Sequence, residues 1–370
     1  MNFICSTSEL YSLCVNVQRA VSTKSSLPAV EGILVRAERN RVYLTGYDLE
    51  LGISTSLEAK VEEEGSLIIN AKIICDILHM LPGETVRFDS DERCVVSISS
   101  GEARYLISGM SDTEYPELPA VAGGLPVVIN QGLLKEMVRQ TIFAVSTNDA
   151  KVVHTGIKFE IEDNSIRMIS IDGFRLAIRN EVIDYSGEPL SFIVPAKTLS
   201  EIVKLTNDDE GDISFGVGKR HIIFEVGRYK IVSRLLEGEF MNYHNAIPNA
   251  YSTDVVVGTR ELLESIERAS LIINDRNKSP IRCDFDIANK IITISSVAVL
   301  GTAKDRLSAE INGNSLEIGF NNKYLIDALR AADTDVVRIE LNGPIAPIII
   351  KPTEGERFLF VVLPVKLRNE

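Results

Sequence analysis

No apolar run in these 370 residues approaches the ~20 that a membrane-spanning helix needs. The N-terminus, Met1-Asn2-Phe3-Ile4-Cys5, lacks the basic and apolar regions of a secretory signal, so none is expected. Cysteine is sparse. Cys5, Cys14, Cys75, Cys94 and Cys283 are odd in number and contain no C-x-x-C pair. That pattern fits reduced thiols in a cytoplasmic protein better than a disulfide framework or a zinc site. Asn277-Lys278-Ser279 fits a glycosylation sequon, which we read as chance in the absence of a secretory route. Positive charge is also short: 39 Lys+Arg face 52 Asp+Glu, a net −13. Proteins that hold nucleic acid by neutralising phosphates are usually basic. Either nucleic acid is not the partner here, or the positive charge is segregated onto one face.

Motifs for chemistry are missing as well. Phe215-Gly216-Val217-Gly218-Lys219-Arg220 contains Gly-Lys, but Ile213 and Arg220 stand where a phosphate loop needs Gly and Ser/Thr. It reads as a turn between strands. His79, His154, His221 and His244 are scattered, and none has a metal-ligand spacing. Asp172 in Ile171-Asp172-Gly173-Phe174-Arg175 suits either a catalytic carboxylate or an Asp-Gly turn. Asp48 in Gly46-Tyr47-Asp48 holds the matching place one repeat earlier, which favours the turn. No cofactor and no metal is expected.

What is present is a globular composition: 45% hydrophobic, 25% charged, with 24 Gly and 13 Pro. At ~150 residues per domain the length suggests two or three domains. A repeat makes it three. Asn2–Cys5 precedes a helical pattern from Ser8 to about Ser22; Val127–Ile129 precedes one from Leu133 to Val145; Asp254–Val257 precedes Glu261–Ile266. Two strands then flank a turn in each copy, at Glu38-Arg39-Asn40, Asp163-Asn164 and Ala288-Asn289-Lys290. A second helix follows over Ile73–Leu81, Leu199–Leu205 and Tyr324–Ala332, and then further strands, such as Tyr105–Ser108, Lys230–Ser233 and Phe358–Val361. The strands alternate, so one sheet face is expected to be solvated. The predicted class is α+β: three tandem domains over 1–124, 125–250 and 251–370, each with two helices and antiparallel sheet. One boundary falls near Gly123-Gly124-Leu125-Pro126 and the other near Pro248-Asn249-Ala250-Tyr251.

Counted over residues 9–22, 71–81, 131–146, 196–206, 259–273 and 322–332, the six predicted helices together carry +2, which leaves −15 for the rest of the chain. Helices of any protein carry lysine on a solvent face. If these six line one surface, that surface is weakly basic and suits a nucleic-acid backbone held loosely enough to slide.

These features, with Ile171-Asp172-Gly173-Phe174-Arg175-Leu176-Ala177, Ile193-Val194-Pro195-Ala196-Lys197 and the ending Val361-Val362-Leu363-Pro364-Val365-Lys366-Leu367, resemble the bacterial DNA polymerase III beta subunit, the sliding-clamp family. The resemblance spans essentially the whole chain. It implies a non-enzymatic processivity factor. Two chains would join head to tail in a ring of six clamp-type domains, with helices on the inner face and sheets outside. A clamp loader would close the ring around duplex DNA, where it slides and tethers the replicative polymerase. Other partners would share the same short-peptide pocket, in the cytoplasm and without a membrane. Two rivals remain: a protein-binding scaffold of repeats that never meets DNA, and a three-domain enzyme with an inter-domain site at Asp172.

Carried over by position, the peptide pocket comprises Ile171, Gly173, Arg175 and Leu176 from the Asp-Gly run. Met241, Asn245 and Ala246 form one rim, and Asn321, Tyr324, Ile345 and Pro347 the third-domain side. Val361, Leu363, Pro364 and Val365 form the floor. Read without the resemblance, Leu176 and Val361 are ordinary core. The chain departs from the family in having Met241 where Pro is usual, His154 where many members have Leu, and Arg368-Asn369-Glu370 beyond the usual end at Leu367. Methionine is adaptable and would soften the pocket. Tyr105, Ile107, Leu271 and Ile272 match the ring interface, or else fill their own domain cores. Lys24 matches a basic DNA contact, while Lys72, Arg139, Lys197 and Lys204 are candidates on charge alone.

Overall fold

The computed structural model describes residues 1–121, 126–206, 211–273 and 279–367. The Gly123-Gly124-Leu125 boundary, most of the sequon and the Arg368-Asn369-Glu370 tail therefore lie outside the described residues.

Six α-helices stand among the described residues, two in each repeat: α1 (Thr7–Val17), α2 (Ala71–Met80), α3 (Gln131–Ile142), α4 (Ala196–Leu205), α5 (Thr259–Ser270) and α6 (Asn322–Ala331). Each follows directly on a strand, and a polar side chain marks several of the junctions. Ser6 accepts from the Glu9 amide at 3.4 Å, Asn70 from Ile73 at 3.1 Å, Asn130 from Leu133 at 3.1 Å and Asn321 from Lys323 at 3.0 Å. Satisfying an otherwise unpaired amide in this way fixes where a helix begins. The caps explain why α2 and α6 start two residues before their apolar periodicity does. At the other end, α1 stops at Val17 and tightens into a 3-10 turn over Gln18–Ala20, short of the expected Ser22.

The hairpin turns sit where the sequence puts them. Arg39 and Asn40 have φ of +48° and +62°, and Asp163 and Asn164 have +48° and +58°. Two consecutive left-handed residues match the twist of the flanking strands.

The chain forms two compact units. The first comprises Met1–Leu133 and Lys197–Leu235. It contains a five-stranded and an eight-stranded antiparallel sheet. The larger sheet joins two repeats, because strand Leu51–Glu58 pairs with Tyr229–Arg234, Ile53 opposite Ile231. On the five-stranded sheet Phe3 and Phe88 stack at 4.9 Å, and on the larger one Phe215 and Phe224 lie 5.3 Å apart.

The second unit comprises Leu134–Ala196 and Leu236–Glu370. It holds a nine-stranded and a four-stranded sheet. Here strand Arg175–Val182 of the second repeat pairs with Phe358–Val362 of the third, Leu176 opposite Val361. Arg179, fully buried beside this seam, donates to the carbonyls of Asn180 at 2.6 Å and Arg357 at 3.2 Å, and its guanidinium also meets Glu181. Burial lowers its pKa, which Glu181 partly offsets. Phe358 and Phe360 stack at 4.8 Å, and Phe143 meets Phe360 edge-on at 5.2 Å.

All five cysteines are unpaired, and four are buried. Burial pushes the thiols of Cys5, Cys75 and Cys283 up to about 12.

Truncating a ring at full burial removes transfer energy and leaves a cavity. Phe224→Ala is therefore expected to destabilise the first unit by ~3–5 kcal/mol. Val182→Ala, at an 81% exposed position, should change stability by less than ~0.5 kcal/mol. Urea unfolding followed by circular dichroism separates the two.

Candidate functional site

The Asp-Gly run forms a tight corner between strands Ser165–Ile171 and Arg175–Val182. Asp172 Oδ1 accepts from the amides of Phe174 at 2.8 Å and Arg175 at 3.0 Å. Gly173 supplies φ +93°, which a residue with a Cβ adopts only with strain. Asp172 Oδ2 then takes Arg175 Nε at 2.9 Å, and Arg175 reaches Asp327 on α6 at 2.6 Å. The guanidinium lies 4.6 Å from the Tyr324 ring centre, and Phe174 stacks on the same ring at 5.9 Å and 23°. Burial and then the nearby Asp172 carboxylate raise the Tyr324 phenol.

The first unit repeats the corner without these attachments. Asp48 Oδ1 accepts from Glu50 at 3.0 Å and Leu51 at 2.7 Å, with Leu49 at φ +75° and Lys197 on Asp48 Oδ2 at 2.6 Å. An aspartate that builds the same turn in two repeats, with its oxygens occupied by amides and a cation, is a structural residue. Among the described residues, no group of three His, Cys, Asp or Glu could hold a metal ion.

Beside the second corner opens a cavity of about 960 Å³. Gly173, Arg175, Met241, Asn321, Tyr324 and Val365 line it, as does His154. The chain end is laced into place there: the Leu363 amide donates to Phe174 O at 2.9 Å and the Val365 amide to Gly319 O at 2.7 Å. Exposed apolar surface collects around it from Phe174, Met241, Leu363 and Val365.

The remaining pocket candidates go elsewhere. Ile171, Leu176 and Val361 are at most 3% exposed, in an apolar cluster with Ile169, Ile178, Tyr243 and Ile349. The reading of Leu176 and Val361 as core is the one the packing supports, because Phe240, Ala246 and Ile247 close over that sheet face. Asn245 is exposed on the 3-10 turn Tyr243–Ala246. Ile345 and Pro347 lie between strands Val336–Leu341 and Ile348–Pro352, Ile345 exposed and Pro347 half-buried. Pro364 is half-buried between Leu363 and Val365. Asn321 has a second duty as the cap of α6. Phe174, Val145, Ile273, Pro280 and Lys323 also line the cavity and were not foreseen. Phe174 had a signal: it stands inside the run already singled out, next to a left-handed glycine.

Of the basic candidates, Lys24, Lys72 and Arg139 are exposed. Lys197 pairs with Asp48, and Lys204 with Glu201 at 2.7 Å. Tyr105 and Ile107 lie on Ala103–Ser108, the edge strand of the five-stranded sheet. Tyr105 is 37% and Leu271 82% exposed, so these two do not fill their own cores; Ile107 and Ile272 are half-buried.

Family models for the N-terminal, central and C-terminal domains of the DNA polymerase III beta subunit match residues 1–119, 128–242 and 244–366. The chain belongs to the DNA polymerase III beta subunit family. The beta sliding clamp of Staphylococcus epidermidis is 32% identical over 358 residues, 94% of each chain. The crystal structure of the DNA polymerase sliding clamp from Bacillus subtilis superposes with a TM-score of 0.97 at 28% identity over 100% of both chains. The beta subunit from Thermotoga maritima gives 0.90 at 26% identity over 99% of this chain and 100% of that one. The beta-subunit fold is thus three tandem clamp domains built of antiparallel sheet and two helices each.

Arg175 is the joint between corner and helix in this family member. Removing it strands two carboxylates and a ring. Arg175→Met is expected to destabilise the second unit by ~3–5 kcal/mol, the range for breaking a buried ion pair on one side. Arg175→Met paired with Asp327→Asn in a double-mutant cycle should show ~0.5–3 kcal/mol of coupling by thermal unfolding.

Proposed function

We propose that this protein is a DNA polymerase processivity factor: a non-catalytic ring that encircles duplex DNA, slides along it and tethers the replicative polymerase. The full-length match to three beta-subunit domains carries the reading. Its domains are 1–124, 125–250 and 251–370, and two chains join head to tail. The exposed edge strand with Tyr105 and Ile107 then pairs with its counterpart strand across the subunits, making the sheet continuous, with Leu271 and Ile272 at the end of α5 on the third-domain side of the interface. A clamp loader places the ring on DNA in the cytoplasm.

Encirclement removes the need for tight binding, which suits a chain of net charge −13. Lys24, Lys72 and Arg139 offer phosphate contacts; Lys197 and Lys204 do so only by leaving Asp48 and Glu201. Few neutralised phosphates mean a shallow salt dependence and free sliding. The tether acts by raising the polymerase's effective concentration at the primer end.

The cavity beside Gly173, Arg175, Met241, Asn321, Tyr324 and Val365 is the partner site, with Leu363, Pro364, Ile345 and Pro347 at its margin. Ile171, Leu176, Ala246 and Val361 support it from beneath, and Asn245 stands on the covering turn. An apolar anchor side chain fully buried there is worth ~1.5–3 kcal/mol.

Fluorescence anisotropy with a labelled Gln-Leu-Ser-Leu-Phe peptide tests the site. Wild type is expected to bind at roughly micromolar strength, ~−8 kcal/mol. Exposed positions make the clean variants: Met241→Asp and Leu363→Asp should weaken binding at least about tenfold, ~1.4 kcal/mol, with unfolding midpoints unchanged. Unaltered binding in both would remove the cavity from the reading. Retention on closed circular DNA, with loss on linearisation after loader treatment, tests the ring separately.

A further inference from the structure

One wall of the cavity is polar in an unusual way. His154 lines it and is 7% exposed. Its backbone is pinned, since the Ser146 amide donates to His154 O at 2.8 Å. Its ring sets an edge against Phe240 at 5.4 Å and 71°. Among the described residues, no hydrogen-bond partner meets its ring nitrogens, and no carboxylate pairs with it. The ring's remaining surface opens on the cavity, where solvent satisfies its nitrogens until a ligand displaces it.

Charged groups of both signs lie around it. On its own segment stand Asp149 and Lys151. From strand Gly156–Glu162, Lys158 Nζ sits 5.7 Å from the Phe240 ring centre and pairs with Glu160 at 2.7 Å. Across the cavity, Asp172 and Asp327 are held by Arg175, and Lys323 lines the far side. Glu237 and Glu239, on the segment leading to Phe240, are exposed. Burial first, and then Lys151, push the imidazole below its ordinary value of 6.5. That direction favours the uncharged ring.

We propose that His154 makes partner capture at this cavity proton-dependent: the peptide's apolar anchor packs against the neutral imidazole and excludes the imidazolium. The inference rests on the reading of the cavity as a peptide site. When an anchor fills the cavity it displaces water from the ring. A neutral ring tolerates that, whereas an imidazolium would be dehydrated beside Lys151. Binding from the protonated state therefore releases one proton to solvent. Linkage then requires the bound peptide to lower the proton affinity of His154 further. The depressed value places the loss of affinity below pH 6.5, and binding stays flat above it. Where the family often has leucine the wall would be indifferent to pH, so the effect belongs to this chain's own residue.

The test is an anisotropy titration of the full chain from pH 5 to pH 8 at fixed ionic strength. The probe is Gln-Leu-Ser-Leu-Phe with a pH-insensitive rhodamine on its N-terminus and an amidated C-terminus, so that it does not titrate itself. Wild type should weaken several-fold on the acid side, while His154→Leu should stay within twofold across the range. In parallel, the His154 ring signals are titrated by NMR in wild type with and without peptide, which needs no variant to fold. Peptide should shift that titration to lower pH. A shared pH profile in wild type and His154→Leu, or an imidazole that titrates identically with and without peptide, overturns the inference while leaving the peptide site intact. Absence of peptide binding at every pH overturns the site reading, and the inference with it.

Discussion

Strand pairing between neighbouring repeats is the interaction on which the rest depends. In the second unit, backbone hydrogen bonds along Arg175–Arg179 and Phe358–Val362 turn sheets from two repeats into one of nine strands. That seam fixes where the Asp172 corner stands relative to α6, and so permits the Arg175–Asp327 ion pair and the Tyr324 contacts. Backbone pairing alone tolerates many side chains. The buried Arg179 at one end of the seam and Arg175 at the other add directional contacts that a slipped register would lose. The cavity is a consequence: it forms where the seam ends and the chain leaves the sheet through Leu363 and Val365.

The two corners allow a comparison within one molecule. Asp48 and Asp172 make the same pair of amide contacts, yet only the second carries an arginine bridge, an aromatic stack and an exposed apolar margin. The turn is thus separable from what is mounted on it. In the first unit Leu49 adopts the left-handed conformation that Gly173 adopts in the second, so the fold accepts the strain where the hydrogen bonds require it.

Much of this was legible in the sequence. The order of elements repeats, and turn residues such as Arg39-Asn40 and Asp163-Asn164 declare their backbone geometry. Helix starts were less legible, because capping by Asn70 and Asn321 extends α2 and α6 ahead of the apolar pattern. The site was legible in its corner and blurred beyond it. The sequence marks Leu176 and Val361 as apolar strand residues that read as core. It does not show that Phe240, Ala246 and Ile247, some 65 residues after Leu176, cover them. Likewise, the partner that occupies Lys197 is Asp48, 149 residues away, beyond any local rule. Phe174 was overlooked because an aromatic residue in an Asp-Gly turn looks incidental until its ring is seen on Tyr324.

The placement of the thiols has a practical side. Cys5, Cys14, Cys75 and Cys283 are buried, and for each of them burial raises the pKa, leaving little thiolate to react at neutral pH. Cys94 alone is partly exposed, and its φ of +59° is one that asparagine accepts readily. Cys94→Asn therefore offers a frame nearly silent to maleimide reagents. A single new cysteine on the exposed edge strand or at the cavity margin would then carry a dye to one address, and the proposed ring opening and peptide capture become optical measurements.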